Sequence, residues 1–243
     1  MKKFGLIGKS LEHSFSPGFF KKYFEENEID ASYELIELKS LERCRGKIET
    51  FDGCNVTIPY KETIIPFLDE LTDEAEAIGA VNTILNKEGK LIGHNTDAFG
   101  FHNSIKPFLT NEHERAIVFG TGGASKAVEY ILKKIGLNVI FISRNPSGED
   151  QFSYEEINEN MVKVCKLIVN TTPVGMYPND SELIDLPYES LTPSHLLVDL
   201  IYNPAKTKFL NEGEKNGATI LNGLTMLKEQ ALKSYEFWNE CRN

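Results

Sequence analysis

Short apolar runs and amphipathic stretches take turns along this chain. Phe4 to Ile7 reads as a buried strand closed by Gly8. Phe19, Phe20, Tyr23 and Phe24 then recur at helical spacing behind Ser16-Pro17, a natural N-cap followed by a natural first helical residue. Tyr33 to Leu38 alternates as a strand, Leu41 to Ile48 repeats as a helix, and Cys54 to Ile58 is a strand stopped by Pro59. The pattern predicts a helix over Tyr60 to Leu68 and a helical turn over Glu74 to Ile78. Val81 to Leu85 and Leu91 to His94 form a hairpin across Lys87-Glu88-Gly89, and Asn95-Thr96-Asp97 caps a helix running from Ala98 to Phe108. Strands alternating with helices predict a parallel α/β sheet in this first part.

The strongest local signal follows. Ala116 to Phe119 is a short apolar strand, Gly120, Gly122 and Gly123 make a turn, and Ala124, Ala127, Val128, Ile131, Leu132 and Ile135 share one helical face. A strand, glycine turn and helix present unpaired N–H groups and a positive dipole end, suited to a pyrophosphate. Gly120 and Gly122 fit the first two glycines of the dinucleotide fingerprint, and Ser125 stands at the third. A second strand, Asn138 to Ile142, ends at Ser143-Arg144-Asn145, where an Arg suits the 2′-phosphate of NADP. Arg144 is otherwise a solvated surface residue, and Glu149 and Asp150 weaken the basic patch if they fold back. Further strands are expected at Leu167 to Asn170, Leu196 to Leu200 and Ala218 to Leu221, and a final helix carries Leu224, Leu227, Ala231, Tyr235 and Trp238 on one stripe. The expected architecture is two α/β domains. Residues 1–98 with 224–243 form a substrate domain, 99–223 form a doubly wound Rossmann-type NADP domain, and the last helix returns to the first domain, a substrate cleft facing the cofactor cleft.

With 243 residues, 41% hydrophobic and 26% charged, the chain has the composition of a soluble globular protein. Its net charge of −10 argues against a nucleic-acid partner and leaves any anionic ligand to local groups. Cys44, Cys54, Cys165 and Cys241 show no C-x-x-C spacing, which fits reduced thiols in a cytoplasmic protein. The apolar run at the start is too short for a signal peptide, and nothing approaches a membrane span. His13, His94, His102, His113 and His195 lack metal-ligand spacing, so no metal is expected.

Several polar residues admit both a structural and a chemical reading. Lys61 opens the helix expected after Pro59, where a cation opposes the dipole, so it is either a solvated lysine or a functional one. Asp97, Ser14 and Ser16 are helix caps or, equally, an acid and two hydroxyls able to receive a carboxylate. Asn82 and Asn95 suit turns, and Thr57 suits a strand.

Taken in order, Glu12-His-Ser-Phe-Ser-Pro17, Asn55-Val-Thr-Ile-Pro-Tyr-Lys61, Gly79-Ala-Val-Asn-Thr83, Asn95-Thr-Asp97, Gly120-Thr-Gly-Gly-Ala124, Asn170-Thr-Thr-Pro-Val-Gly-Met176, Asp199-Leu-Ile-Tyr202 and Gly223-Leu-Thr-Met-Leu-Lys-Glu-Gln230 resemble the shikimate dehydrogenase family from Gly8 to Gln230. The resemblance implies NADPH-dependent reduction of 3-dehydroshikimate to shikimate in aromatic amino-acid synthesis. It also implies that Lys61 and Asp97 are catalytic, that Ser14, Ser16 and Tyr202 hold the substrate carboxylate, and that Thr57, Asn82, Asp97 and Gln230 hold its ring hydroxyls. Gly120, Thr121, Gly122, Gly123, Ala124, Ser143, Arg144, Asn145, Thr171 and Gly223 would contact NADP. The chain departs from the family pattern at Phe19 and Phe20, where His-Asn is common, at Ser143-Arg144-Asn145 in place of Asn-Arg-Thr, and at Asn170-Thr-Thr-Pro173 in place of Asn-Ala-Thr-Ser. Two other readings remain at this point: a quinate/shikimate dehydrogenase using NAD, and a non-catalytic NADP sensor. Monomer and homodimer are equally compatible with the sequence.

Overall fold

A computed structural model describes residues 1–12 and 14–240. The chain divides into two compact units, Met1–Thr96 with the segment from Gln230 onward, and Asp97–Glu229.

The first unit is built on β1 (Lys2–Gly8), α1 (Ser16–Glu26), β2 (Ala31–Glu37), α2 (Cys44–Ile48), β3 (Gly53–Val56), β4 (Glu70–Leu71), α3 (Asp73–Ile78), β5 (Thr83–Lys87) and β6 (Lys90–His94). The sheet order is β2-β1-β3-β5-β6-β4. The sheet is mixed, which corrects the expected parallel one. β1 runs parallel to β2 and β3, but β5 is antiparallel to β3 and β6. The cause is the two-residue turn between β5 and β6, where Glu88 (φ 55°) and Gly89 (φ 87°) are both left-handed, the conformation that reverses a hairpin tightly. Two further expectations fail locally. No α-helix follows Pro59: Thr57 to Ile64 is a run of turns leading to one 3₁₀ turn at Ile65–Phe67. Ser16 is not an N-cap either. It is the first residue of α1, Phe15 takes the cap position, and no side chain caps the helix.

The second unit comprises α4 (Asp97–Ile105), β7 (Arg115–Phe119), α5 (Gly123–Lys134), β8 (Asn138–Ile142), β9 (Gln151–Phe152), α6 (Glu159–Val164), β10 (Leu167–Asn170), β11 (Leu196–Asp199), α7 (Lys208–Lys215) and β12 (Thr219–Leu221). Its sheet, β12-β11-β10-β7-β8-β9, is parallel throughout. β10 and β11 are buried at every position, as strands covered on both faces must be. Read from β9 to β12, the order is that of a doubly wound dinucleotide fold, with its switch point between β7 and β10. The short β9 went unseen in the sequence because two residues carry no period.

The last helix, α8 (Leu224–Glu240), begins in the second unit and ends in the first. There its Trp238 stacks on Phe4 at 4.4 Å and donates from its indole N–H to the Ile84 carbonyl at 2.9 Å. Gly53 makes room for the indole, since a Cβ there would overlap the ring. The buried face of this stretch is Gln230, Ala231, Ser234, Phe237 and Trp238, so two polar residues sit where the expected stripe was apolar.

Candidate functional site

In the first unit the chain crosses over between β1 and β3, which lie side by side while their following connections leave in different directions. Crevices for ligands open at the carboxyl ends of strands at such a point. Gly8 ends β1 there, and Thr57 follows β3, its N–H donating to the Ile7 carbonyl at 2.8 Å. A Cβ on Gly8 would stand 2.8 Å from the Thr57 methyl. Ser14 and Ser16 come after β1, and Lys61 lies half-buried in the turns after β3. The Lys61 carbonyl accepts from the Val81 N–H at 2.7 Å, tying this turn to the approach to β5. The dipole argument that singled out Lys61 falls with the missing helix. The residue stands instead at the end of a central strand.

Beside β3, where Val56 donates from its N–H to the Asn82 carbonyl at 2.8 Å, is a buried polar cluster. Asn82 is 2% exposed and Gln230 9%. These side chains, far apart in sequence, meet with the Asn82 amide N–H 3.3 Å from Gln230 Oε1. The Asn82 Oδ1 accepts from the Thr96 N–H at 2.7 Å. The Tyr33 phenol donates to Asn55 Oδ1 at 2.8 Å, and burial raises its pKa against an opposing side-chain hydrogen bond from Ser16. Thr83 and Ser234 complete the cluster, both wholly buried. Sequence reasoning assigned no role to Tyr33, Asn55, Thr83, Thr96 or Ser234. The available signal was a polar residue in an apolar setting: Asn55 between Cys54 and Val56, and Ser234 one turn from Ala231 and Trp238.

In the second unit Gly120 leaves β7 with φ 98°, and a Cβ on it would lie 2.8 Å from Thr171 Oγ1. Both the backbone conformation and the close approach therefore require glycine. The Thr171 hydroxyl donates to the Phe119 carbonyl at 2.6 Å, so the first residue beyond β10 is pinned to β7 across the switch point. Gly122 is the extended N-cap of α5 and makes no side-chain cap. Ser125, at the place of the third glycine, turns inward and donates to the Gly122 carbonyl at 2.6 Å. Thr121 and Gly122 are exposed, Gly123 and Ala124 half-buried. This is a cradle of backbone donors of the size and polarity a pyrophosphate needs. At the end of β8, Ser143 Oγ accepts from the Asn145 N–H at 3.2 Å. Arg144 is exposed, and its charge opposes the burial that raises the Tyr154 pKa. Asp150 bears on Lys133.

Asp199, at the end of β11, is wholly buried, and its carboxylate accepts from Asn170 Nδ2 at 3.0 Å, the Ile201 N–H at 3.0 Å and the Thr207 hydroxyl at 2.6 Å. Burial nevertheless pushes its pKa up to about 6 against those three bonds. Tyr202 follows it, half-buried, its phenol pKa raised by burial. Gly223 has a structural reason to be glycine, since a Cβ would overlap the Leu200 carbonyl. Asp97 is 5% exposed and opens α4, an acid in the first turn where the helix dipole welcomes one.

Among the described residues no group of His, Cys, Asp or Glu could hold a metal, and no helix is long and apolar enough to cross a membrane. Cys44, Cys54 and Cys165 are buried thiols with no disulfide, while His13 and Cys241 lie outside the described residues.

A family model described as the shikimate dehydrogenase substrate binding domain matches residues 6–84. The shikimate dehydrogenase (NADP(+)) of Pyrococcus abyssi is 37% identical to this chain, covering 98% of it and 92% of the relative. Among solved structures, shikimate dehydrogenase 1 of Peptoclostridium difficile is 40% identical with a TM-score of 0.85, covering 99% of this chain and 92% of its own. Shikimate 5-dehydrogenase of Thermus thermophilus, solved with NADP(H) and shikimate, is 34% identical with a TM-score of 0.87, covering 98% and 94%. Identity at this level over nearly the whole of both partners shows that the chain belongs to the shikimate dehydrogenase family.

Proposed function

We propose that this chain reduces 3-dehydroshikimate reversibly to shikimate with NADPH, a step of chorismate and aromatic amino-acid biosynthesis, in the cytoplasm. The first unit is the substrate half and the second the NADP half. Bound NADPH supplies the hydride. As it reaches the ketone carbon, negative charge grows on the oxygen, and the Lys61 ammonium stabilises that charge and gives up the proton that completes the alcohol. Asp97 orients a ring hydroxyl. Ser14, Ser16 and Tyr202 offer hydroxyl donors to the carboxylate, and Thr57, Asn82 and Gln230 take the remaining ring hydroxyls. The Gly120–Ala124 turn, with Thr121, Gly122 and Gly123, receives the pyrophosphate. Ser143, Arg144 and Asn145 take the 2′-phosphate, with Thr171 and Gly223 on the nicotinamide side.

The observation that supports this reading best is the buried amide pair of Asn82 and Gln230, 3.3 Å apart, beside β3. A small polyhydroxy acid needs short, fixed polar groups, and apolar ligands would gain nothing from them. The test is an absorbance assay at mildly alkaline pH, pairing shikimate or quinate with NADP or NAD. The expected result is the highest kcat/KM for shikimate with NADP. Preference for quinate with NAD would make the chain a quinate/shikimate dehydrogenase, and no turnover with any pair would leave a sensor.

A further inference from the structure

The polar cluster beside β3 has a defined donor direction. Thr96 N–H can only donate, so the Asn82 atom it meets at 2.7 Å is the amide oxygen, and the Asn82 NH₂ group must face Thr96 Oγ1 (2.9 Å) and Gln230 Oε1 (3.3 Å). Thr96 Oγ1, having accepted from Asn82, lies 3.0 Å from Ser234 Oγ. The Ser234 hydroxyl in turn donates to the Gln230 carbonyl at 2.9 Å, a main-chain acceptor that cannot reverse. The Asn55 amide N–H donates to Ser234 Oγ at 2.8 Å, and Thr83 Oγ1 stands 2.7 Å from that hydroxyl oxygen. Four neighbours, from β3, from β5, from the loop before α4 and from α8 itself, therefore meet at one hydroxyl that is wholly buried.

We propose that Ser234 is a positioning residue for substrate: its hydroxyl, donating to the Gln230 carbonyl and accepting from Asn55, ties α8 to β3 and β5 and so sets where the Asn82 and Gln230 amides stand. This rests on the reading of the first unit as the shikimate-binding half. With Ser234 in place, its oxygen accepts from Asn55 and from one of two hydroxyls, Thr83 at 2.7 Å or Thr96 at 3.0 Å, while its proton goes to Gln230 O. The other hydroxyl is left to donate to Asn82 Oδ1, 3.1 Å from Thr83 Oγ1 and 3.2 Å from Thr96 Oγ1. Remove the hydroxyl and the Asn55 amide loses a buried acceptor, the Thr83 or Thr96 hydroxyl that donated to it loses another, and the tie holding α8 against β3 and β5 beside the amide pair is broken. The cost falls on groups sealed from water, where an unmade hydrogen bond is expensive.

The experiment is Ser234→Ala, which removes one oxygen and leaves packing almost unchanged. Steady-state KM for shikimate and for NADP and kcat are measured beside wild type, with a thermal melt of each protein. Wild type turning over shikimate, with KM for shikimate raised about 5- to 10-fold in the variant, KM for NADP unchanged and kcat within about twofold, supports the proposal. A lower melting temperature with an unchanged shikimate KM would make Ser234 a structural residue and overturn it. Wild type inactive on shikimate removes the functional reading and the positioning role together, so the two failures are distinct. Thr96→Val and the double variant complete the test. Effects on shikimate KM that fail to add support the shared tie, and strictly additive effects overturn it.

Discussion

Both units set their candidate residues at the carboxyl ends of parallel strands beside a switch point, β1 and β3 in one, β7 and β10 in the other. They furnish that place in different ways. At β7/β10 the recognition surface is mostly main chain: a left-handed Gly120, an uncapped α5 and a threonine pinned across to Phe119. At β1/β3 it is side chains, drawn from β2, β3, β5 and a helix that arrives after the whole second unit. A phosphate can be held by peptide N–H groups common to every sequence, so the second design needs only the right turn. A polyhydroxy acid must be told from its isomers, which takes oriented hydroxyls and amides, and these must be locked by partners of their own.

The contrast can be broken at four places. The largest effect is expected at Lys61: Lys61→Ala should lower turnover by about 10²-fold or more, the scale of a lost general acid, with NADPH affinity retained in a direct titration. Turnover equal to wild type would remove this lysine from the chemistry. Gly120→Ala should act on the opposite half. Forcing a Cβ onto φ 98° against Thr171 should raise KM for NADPH tenfold or more and lower unfolding free energy by roughly 1–3 kcal/mol. Urea melts and NADPH kinetics check this, and an unaltered variant would mean the turn is not built as described. Arg144→Leu should raise KM for NADPH by about tenfold and leave NADH unaffected, as expected for one exposed charge-assisted contact. Equal losses with both cofactors would make it a bystander.

The smallest effect on activity is expected from a pair of opposite pH slopes, which act on stability. In the first unit His94, stacked on Phe237 and bonded to Thr72 at 2.8 Å, is pushed down to about 4, first by burial and then by Lys233. Its native pKa lies below the unfolded value, so the stability it contributes is present above pH 6.5 and drains away as pH falls toward 4. Asp199 in the second unit is pushed up to about 6, so its ionisation costs stability as pH rises from about 4 through 6. Each is worth on the order of 3 kcal/mol at most, since one pKa unit is about 1.4 kcal/mol. Urea unfolding between pH 4 and 7 should show the wild-type advantage over His94→Gln shrinking toward acid, and the advantage over Asp199→Asn shrinking toward neutral pH. Parallel curves would exclude both linkages.

The same contrast governs what could be read from the sequence. The glycine turn, β7, α5 and β8 were legible because main-chain requirements leave local marks: glycine where φ is positive, apolar residues where a strand is covered. The hairpin of β5 and β6 was legible through Glu88-Gly89 for the same reason. The helix expected after Pro59 was not there, because apolar spacing across Tyr60, Ile64, Phe67 and Leu68 is equally served by successive turns packing one side against the core. Ser16 followed by Pro17 resembled a cap, yet Ser16 is already the first residue of α1 and no side chain caps that helix. Asn55 and Ser234 marked themselves only as polar residues in apolar settings, with nothing to say what they meet, since Ser234 lies 179 residues from Asn55 and 151 from Thr83 and only the folded chain brings them together.

Trp238 and its neighbours on α8 carry one more consequence, for biogenesis. The aromatic core formed with Phe4, Phe20 and Phe24 is closed by residues that leave the ribosome only after 97–229 have been made. The nascent amino-terminal sheet therefore waits, with part of its apolar face uncovered, while a complete nucleotide-fold module is synthesised. Exposure of that face to association in the interval is the consequence of where one indole sits.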